Sequence, residues 1–457
     1  MTNEIPTGGR ARTRSAHWRV RDLWSDKPFA VAAAFFIVAF ALGGAGTHYP
    51  LLEMVVELTA LVVLFYFAAV YRWGRPDRTA ALGLFALLLV CLLPLAQLVP
   101  LPPELWQGLP GRERPQQVLR LIGADQSWMP LTLDREASWR SFLALLPGVA
   151  AFVAGLALGE RNRLRLVFVI LSFAALSALL GALQIAFGAS AALYESGHSG
   201  LATGLFTNRN HQAVFLNLAI ILSGAMGGLD RSAGLRRPIA IALILLFAAA
   251  ALATKSRTGA ALLVIAVPIA LLMLARARLK PAQALMIAGA GVLALGALLF
   301  TTTAGEVVLG RFDSADDPRF SYWKDVWAAI AQYWPAGSGF GTFAVVYQSF
   351  EPLSSVSPAF VNHAHNDYLE LLLEGGLPAL VVAGLAVGAL SVAAWRSIRE
   401  PEQGGQRSLA AAGALGLLVL LAHSLVDYPM RMLSLIALFG FLAALLFNPA
   451  AAWAKGR

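Results

Sequence analysis

Long apolar runs alternate with short polar connections along the whole chain. Twelve runs stand out, at about 29–45, 51–71, 79–99, 141–158, 165–188, 212–228, 238–254, 259–275, 282–300, 366–394, 408–426 and 432–448. Their recurring length is close to the ~20 apolar residues that a helix needs to cross a hydrocarbon core of ~30 Å. Transmembrane β-strands would alternate apolar with polar residues in segments of about 10, and these Leu/Ala/Val runs do not alternate. Helices satisfy their own backbone hydrogen bonds inside lipid. The pattern predicts an all-α polytopic membrane protein of about 12 transmembrane helices, interrupted by two longer connections near 100–140 and 301–365.

Composition agrees. Of 457 residues, 58% are hydrophobic and 13% are charged, about half the charged fraction usual in a soluble protein. The formal charge of +9 raises nucleic-acid binding, but its distribution gives a different reading. The basic residues gather in alternate loops: Arg72/Arg75/Arg78, Arg161/Arg163/Arg165, Arg231/Arg236/Arg237, Arg276/Arg278/Lys280 and Arg396/Arg399/Arg407, with the two tails. That set holds 23 Lys and Arg, and the opposite set holds 12. Lys and Arg favour the cytoplasmic side. The expected topology has a basic cytoplasmic tail over 1–28, a transmembrane domain over 29–448 and a cytoplasmic tail over 449–457. Both long connections then face the periplasm. The basic leader is long for a cleaved signal peptide and carries acids, so it reads as an uncleaved tail. Cys91 is the only cysteine and allows no intrachain disulfide.

With that topology, four outward arginines oppose the bias: Arg209 in TNRNH, Arg257 in TKSRTG, Arg319 in DDPRFSYW and Arg431 in DYPMR. Guanidinium forks suit phosphate oxygens, so several converging arginines would make a diphosphate site; singly, each also reads as an interfacial cation. Arg319 opens an amphipathic stretch whose Phe320, Trp323, Trp327 and Ile330 share one face, as in a helix lying on a membrane surface. In the segment from His363 to Pro378, Asn362 is a candidate N-cap that would place His365 in the first helical turn. Free N–H groups there would attract phosphate and favour a neutral imidazole. Gly376, eleven residues on, would share the face of His365 and admit a backbone or a ligand. The bland alternative is an interfacial histidine bonded to a loop. GSGFGT from Gly337 reads as a turn rather than a phosphate loop. Asp313, Asp316 and Asp317 suit a solvated loop better than a cation. Glu53 and Glu57 share a helix face, and His423, Asp427 and Arg431 straddle the last outward turn, where they could support a site.

These segments together resemble the O-antigen ligase and Wzy-type polymerase superfamily of bacterial envelope glycosyltransferases. The carrying residues are GLFTNRNHQA (204–213), TKSRTG (254–259), Arg319 to Trp323, and HNDYLELLLEGG (365–376). The family core spans about 200–395. Ala379 stands where the family often has a further glycine. The resemblance implies a helical, lipid-sugar-dependent glycosyltransferase of the GT-C-like type in the bacterial inner membrane, without a cofactor and metal-independent. It would transfer glycan, with inversion, from a polyprenyl-diphosphate carrier to a hydroxyl of lipid A-core or of a growing surface polysaccharide. Arg257 and Arg319 match the diphosphate positions, Arg209, Asn210 and Arg431 are further candidates, and His365 matches the proposed base. The lipid bilayer and the lipid-linked glycan are the expected partners, and nucleic acid is not. The rival class is a transporter of a small anion such as bicarbonate, whose ionisable residues would sit at mid-membrane in broken helices. A structural or assembly membrane protein would fit the topology but leave the outward Arg and His residues unexplained.

Overall fold

The computed structural model describes residues 26–195, 197–198, 200–229, 234–275, 318–356, 361–399 and 405–448, with positions 283, 286, 289, 453 and 454. The ninth apolar run at 282–300, the Asp313, Asp316 and Asp317 segment, and nearly all of the basic leader lie outside the described residues. So do the side chains of 318–321, and with them that of Arg319.

The other eleven runs coincide with helices: α1 (Lys27–Leu42), α2 (Pro50–Ala69), α3 (Arg78–Leu98), α6 (Arg135–Ala157), α7 (Glu160–Phe187), α8 (Arg209–Gly227), α9 (Arg236–Ala253), α10 (Arg257–Ala275), α13 (Asp367–Arg399), α14 (Gln406–His423) and α15 (Leu433–Leu445). The long connections add α4 (Pro103–Trp106), α5 (Glu113–Leu121), α11 (Pro318–Tyr333) and α12 (Phe343–Tyr347). Among the described residues, eight helices are long and apolar enough to cross a membrane, namely α2, α3, α6, α7, α9, α10, α13 and α14, while α1 and α15 are shorter. Several begin where a short acid or amide side chain caps free N–H groups. Asp77 accepts from Ala80 N at 2.7 Å, Asp134 from Ala137 N at 3.0 Å, and Asn208 from Asn210 N at 2.8 Å.

Helix α8 is buried on nearly every side and forms the centre, flanked by α9 and α10. Its Asn217 donates to Gly259 O at 3.1 Å and so ties it to α10. α6 and α15 approach most closely at Gly148, where a Cβ on Gly440 would strike the Gly148 backbone. Such small-residue contacts replace the hydrophobic drive that helices lack in lipid. The antiparallel run of helices gathers the loops at two ends. At one end, Arg163 is fully buried and donates to Gly155 O at 2.9 Å and Phe447 O at 2.6 Å. It thus satisfies helix C-terminal carbonyls, a structural task that its place in a basic loop does not announce.

The opposite end carries a second, smaller core. α11 buries Val326, Ala329, Ile330 and Tyr333 against Phe343, Val346, Tyr347 and the start of α13. Of the expected apolar face, Ile330 lies in this core and Trp323 packs against it, while Trp327 is exposed. The indole of Trp323 donates to Ala364 O at 2.8 Å, which fixes the residue between His363 and His365.

Candidate functional site

The approach to α13 differs from its sequence reading. The helix begins at Asp367, and its cap is Asn366, not Asn362. Asn366 Oδ1 accepts from Tyr368 N at 2.9 Å and Leu369 N at 3.1 Å. His365 therefore precedes the helix and adopts the left-handed region at φ +48°. A non-glycine residue held there is strained, a condition that clusters at functional sites. The helix is also broken at Gly376, at φ +57° and ψ −149°, so His365 and Gly376 share no helical face. What Gly376 admits is backbone: the Pro335–Gly337 segment lies against it. GSGFGT is a turn that docks on this break. Ser338 N donates to Leu373 O at 2.9 Å, Gly339 N to Glu374 O at 2.9 Å, and Leu377 N to Pro335 O at 2.9 Å.

The start of α13 is pinned to the turn between α14 and α15. Asp367 Oδ2 accepts from Ser424 Oγ at 2.7 Å and Met430 N at 3.2 Å, and Asn366 donates to Leu425 O at 2.8 Å. One turn further, Glu370 and Glu374 stand four residues apart and so share a face. Both are buried, and both engage Arg431 Nη2, at 3.2 and 2.7 Å. Glu370 also meets His363 Nδ1 at 2.9 Å and accepts from Ala364 N at 3.0 Å. Glu374 accepts from Phe343 N at 3.1 Å. Burial alone would lower the Arg431 pKa, but Glu370, Glu374 and Asp367 outweigh it and hold the guanidinium charged. Arg431, a diphosphate candidate from sequence, is held between these carboxylates.

A second cluster centres on Asp427, which is fully buried. His365 Nδ1 lies 3.6 Å from its carboxylate, His423 Nε2 3.8 Å and His211 Nε2 3.9 Å. Burial would raise the Asp427 pKa, yet the contact with His365 and the nearby His211 and His423 hold it well below the usual carboxylate range. Tyr428 joins the two clusters. Its ring lies tilted against His363 at 4.4 Å and meets His365 at 4.8 Å and His211 at 5.1 Å edge-on. Burial and then Asp427 push the phenol upward, so it stays protonated. His363 and His365 both precede the helix, and both rings face Tyr428. Among the described residues, no group of three His, Cys, Asp or Glu side chains is disposed to hold a metal ion.

Beside this cluster lies a cavity of roughly 470 Å³, lined among others by Tyr49, Asn208, Asn362, His363, Tyr428 and Arg431. Of the sequence candidates, Arg431 lines it; Arg209 and Asn210 open α8 next to the Asn208 cap, and Arg257 opens α10 at the same end of the bundle. Glu53 and Glu57 lie on α2 near Arg140, away from the cavity lining. Sequence reasoning passed over His211, Asn208, Tyr428, Glu370 and Glu374. The signal for the two glutamates was their i, i+4 spacing, since carboxylates inside a membrane helix are costly without a partner. His211 carried its signal in TNRNH.

The arrangement supplies two histidines, each facing a buried carboxylate, beside a half-open cavity of mixed polar and apolar lining. Such pairs orient an imidazole and fix which nitrogen carries the proton. A comparison with curated proteins finds no match. Residues 241–384 match the sequence model of the O-antigen ligase family, Wzy_C, inside the span of about 200–395 assigned to the family core from sequence. The match takes in α10, α11, the histidine loop, both glutamates and the break at Gly376. Over residues 241–384 the chain is thus similar to an O-antigen ligase domain.

Proposed function

We propose that the chain transfers glycan from a polyprenyl-diphosphate carrier to an acceptor hydroxyl at the periplasmic face of a bacterial inner membrane. One observation carries this reading: strained His365 faces the buried Asp427 carboxylate at 3.6 Å, at the end of the bundle where Arg209 and Arg257 also lie. His365 accepts the acceptor proton through Nε2 while Nδ1 faces Asp427. Such a base contributes ~10²–10⁴-fold in rate. The acceptor oxygen attacks the anomeric carbon as the bond to the diphosphate breaks, which inverts that centre. Arg257 and Arg319 meet the charge developing on the leaving diphosphate, with Arg209 and Asn210 alongside. The activated donor carries its own leaving group, so no nucleotide is needed.

A broken helix with buried acids is also found in carriers. Here Glu370 and Glu374 are committed to Arg431, His363 and backbone N–H groups, which leaves them poor sites for a travelling ion. Ligase and polymerase share the donor chemistry and differ in acceptor. Deletion of the protein separates them. Long glycans accumulating on the lipid carrier indicate a ligase, and single repeats indicate a polymerase. Accumulation of neither refutes the proposal.

A further inference from the structure

We propose that the cavity beside His363 is the acceptor's sugar subsite and that it selects an uncharged sugar ring over a phosphorylated one. This rests on the transfer reaction above. The volume, roughly 470 Å³, falls within the range of ~300–1,000 Å³ typical of small-ligand sites. Its walls mix amides and hydroxyls (Thr47, Thr207, Asn208, Asn362) with the phenols Tyr49 and Tyr428. These groups both donate and accept, as sugar hydroxyls do, and flat rings suit the apolar face of a pyranose. The walls are tied together before any ligand arrives. Tyr49 Oη accepts from Glu195 N at 2.7 Å, and Thr207 N donates to Gly44 O at 3.0 Å.

Charge argues against an anion. Among the described residues, Arg431 is the only Lys or Arg in the lining, and Glu370 and Glu374 already engage it. Glu195 adds a carboxylate at the wall. The remaining titratable groups facing the space are His48, His198 and His363. Burial, and then Arg209, lower the His198 pKa and favour its neutral form. Arg209 and Arg257 stand outside the lining, so the diphosphate and the acceptor ring have separate places. The Tyr428 ring, which walls the cavity, also contacts His365, so a ring bound there presents a hydroxyl towards the base. His363, with Nδ1 committed to Glu370, turns its other nitrogen to a neighbouring hydroxyl as a positioning residue.

The test uses the full-length protein in nanodiscs, with methyl hexopyranosides and the matching hexose 6-phosphates as probes. Saturation-transfer NMR should detect the methyl glycosides, with the 6-phosphates at least ~10-fold weaker. Asn362→Ala should weaken glycoside binding and raise the acceptor KM about tenfold, the worth of a lost hydrogen bond, leaving kcat and donor KM within about twofold. Equal or tighter binding of the 6-phosphates, no glycoside binding, or a change in donor KM alone would overturn the assignment. Failure of the wild-type protein to transfer glycan strikes the parent reaction instead, and the NMR comparison still reads the cavity.

Discussion

Replacing Gly376 by alanine probes how the site is held in place. Gly376 sits at φ +57° and ψ −149°, a region essentially reserved for glycine, where another residue costs about 1–3 kcal/mol. The added Cβ would also fall on the Pro335 carbonyl and within 2.8 Å of Gly337 N. Relief requires moving the 335–339 segment, which stretches the 2.9 Å bonds from Leu377 N to Pro335 O and from Gly339 N to Glu374 O. Each is worth about 1 kcal/mol net. The total is about 3–5 kcal/mol, or at least ~100-fold in the folding equilibrium. Because Glu374 holds Arg431 at 2.7 Å, the disturbance reaches the histidine loop. Thermal unfolding of the purified protein in nanodiscs should show a melting point several degrees below wild type. Gly384→Ala and Gly388→Ala serve as controls on the same helix, since their Cβ atoms meet open space. Both should be neutral or stabilising by up to ~1 kcal/mol. A Gly376→Ala protein that melts with wild type would refute the docking of the glycine turn on the helix break.

Arg257→Lys and Arg319→Lys should each lose most transfer activity although charge is kept, because an ammonium cannot reproduce a two-pronged phosphate contact; near-normal transfer by both removes the diphosphate role. Reporter fusions at about residues 235 and 400 should report cytoplasm, and fusions within 301–365 periplasm. A periplasmic signal near 235 would reverse the side assigned to the site.

The helical runs were legible because a lipid-spanning segment needs length and apolarity, and both are written locally. Eleven runs meet helices within a few residues, and the polar first turn of α6 is explained by the Asp134 cap. The match at 241–384 likewise follows motifs that could be read along the chain. The entry to α13 was misread because Asn362 and Asn366 are both competent caps. The choice fell to Asn366, whose amide also reaches Leu425 O, a partner 59 residues away that no local pattern reveals. The break at Gly376 had a local signal in Gly375, Gly376 and Pro378, but its conformation is set by the 335–339 turn that docks on it. Glu370 and Glu374 gained their meaning only when the α14–α15 turn brought Arg431 to them. Asp427 acquired three histidines from α8, α14 and the α13 approach in the same way.

The proposed transfer requires His365 to take the acceptor proton while the lipid diphosphate leaves. The direct measurement is single-turnover transfer by purified wild-type, His365→Ala and His363→Ala proteins from a polyprenyl-diphosphate-linked glycan to lipid A-core or a lipid-linked repeat, with donor binding measured separately. Wild type should transfer, and His365→Ala should fall by ~10²–10⁴-fold while binding donor normally. His363→Ala should keep substantial turnover at saturating acceptor. Normal turnover by His365→Ala with loss in His363→Ala would reverse the assignment. Normal turnover by both would end histidine base catalysis.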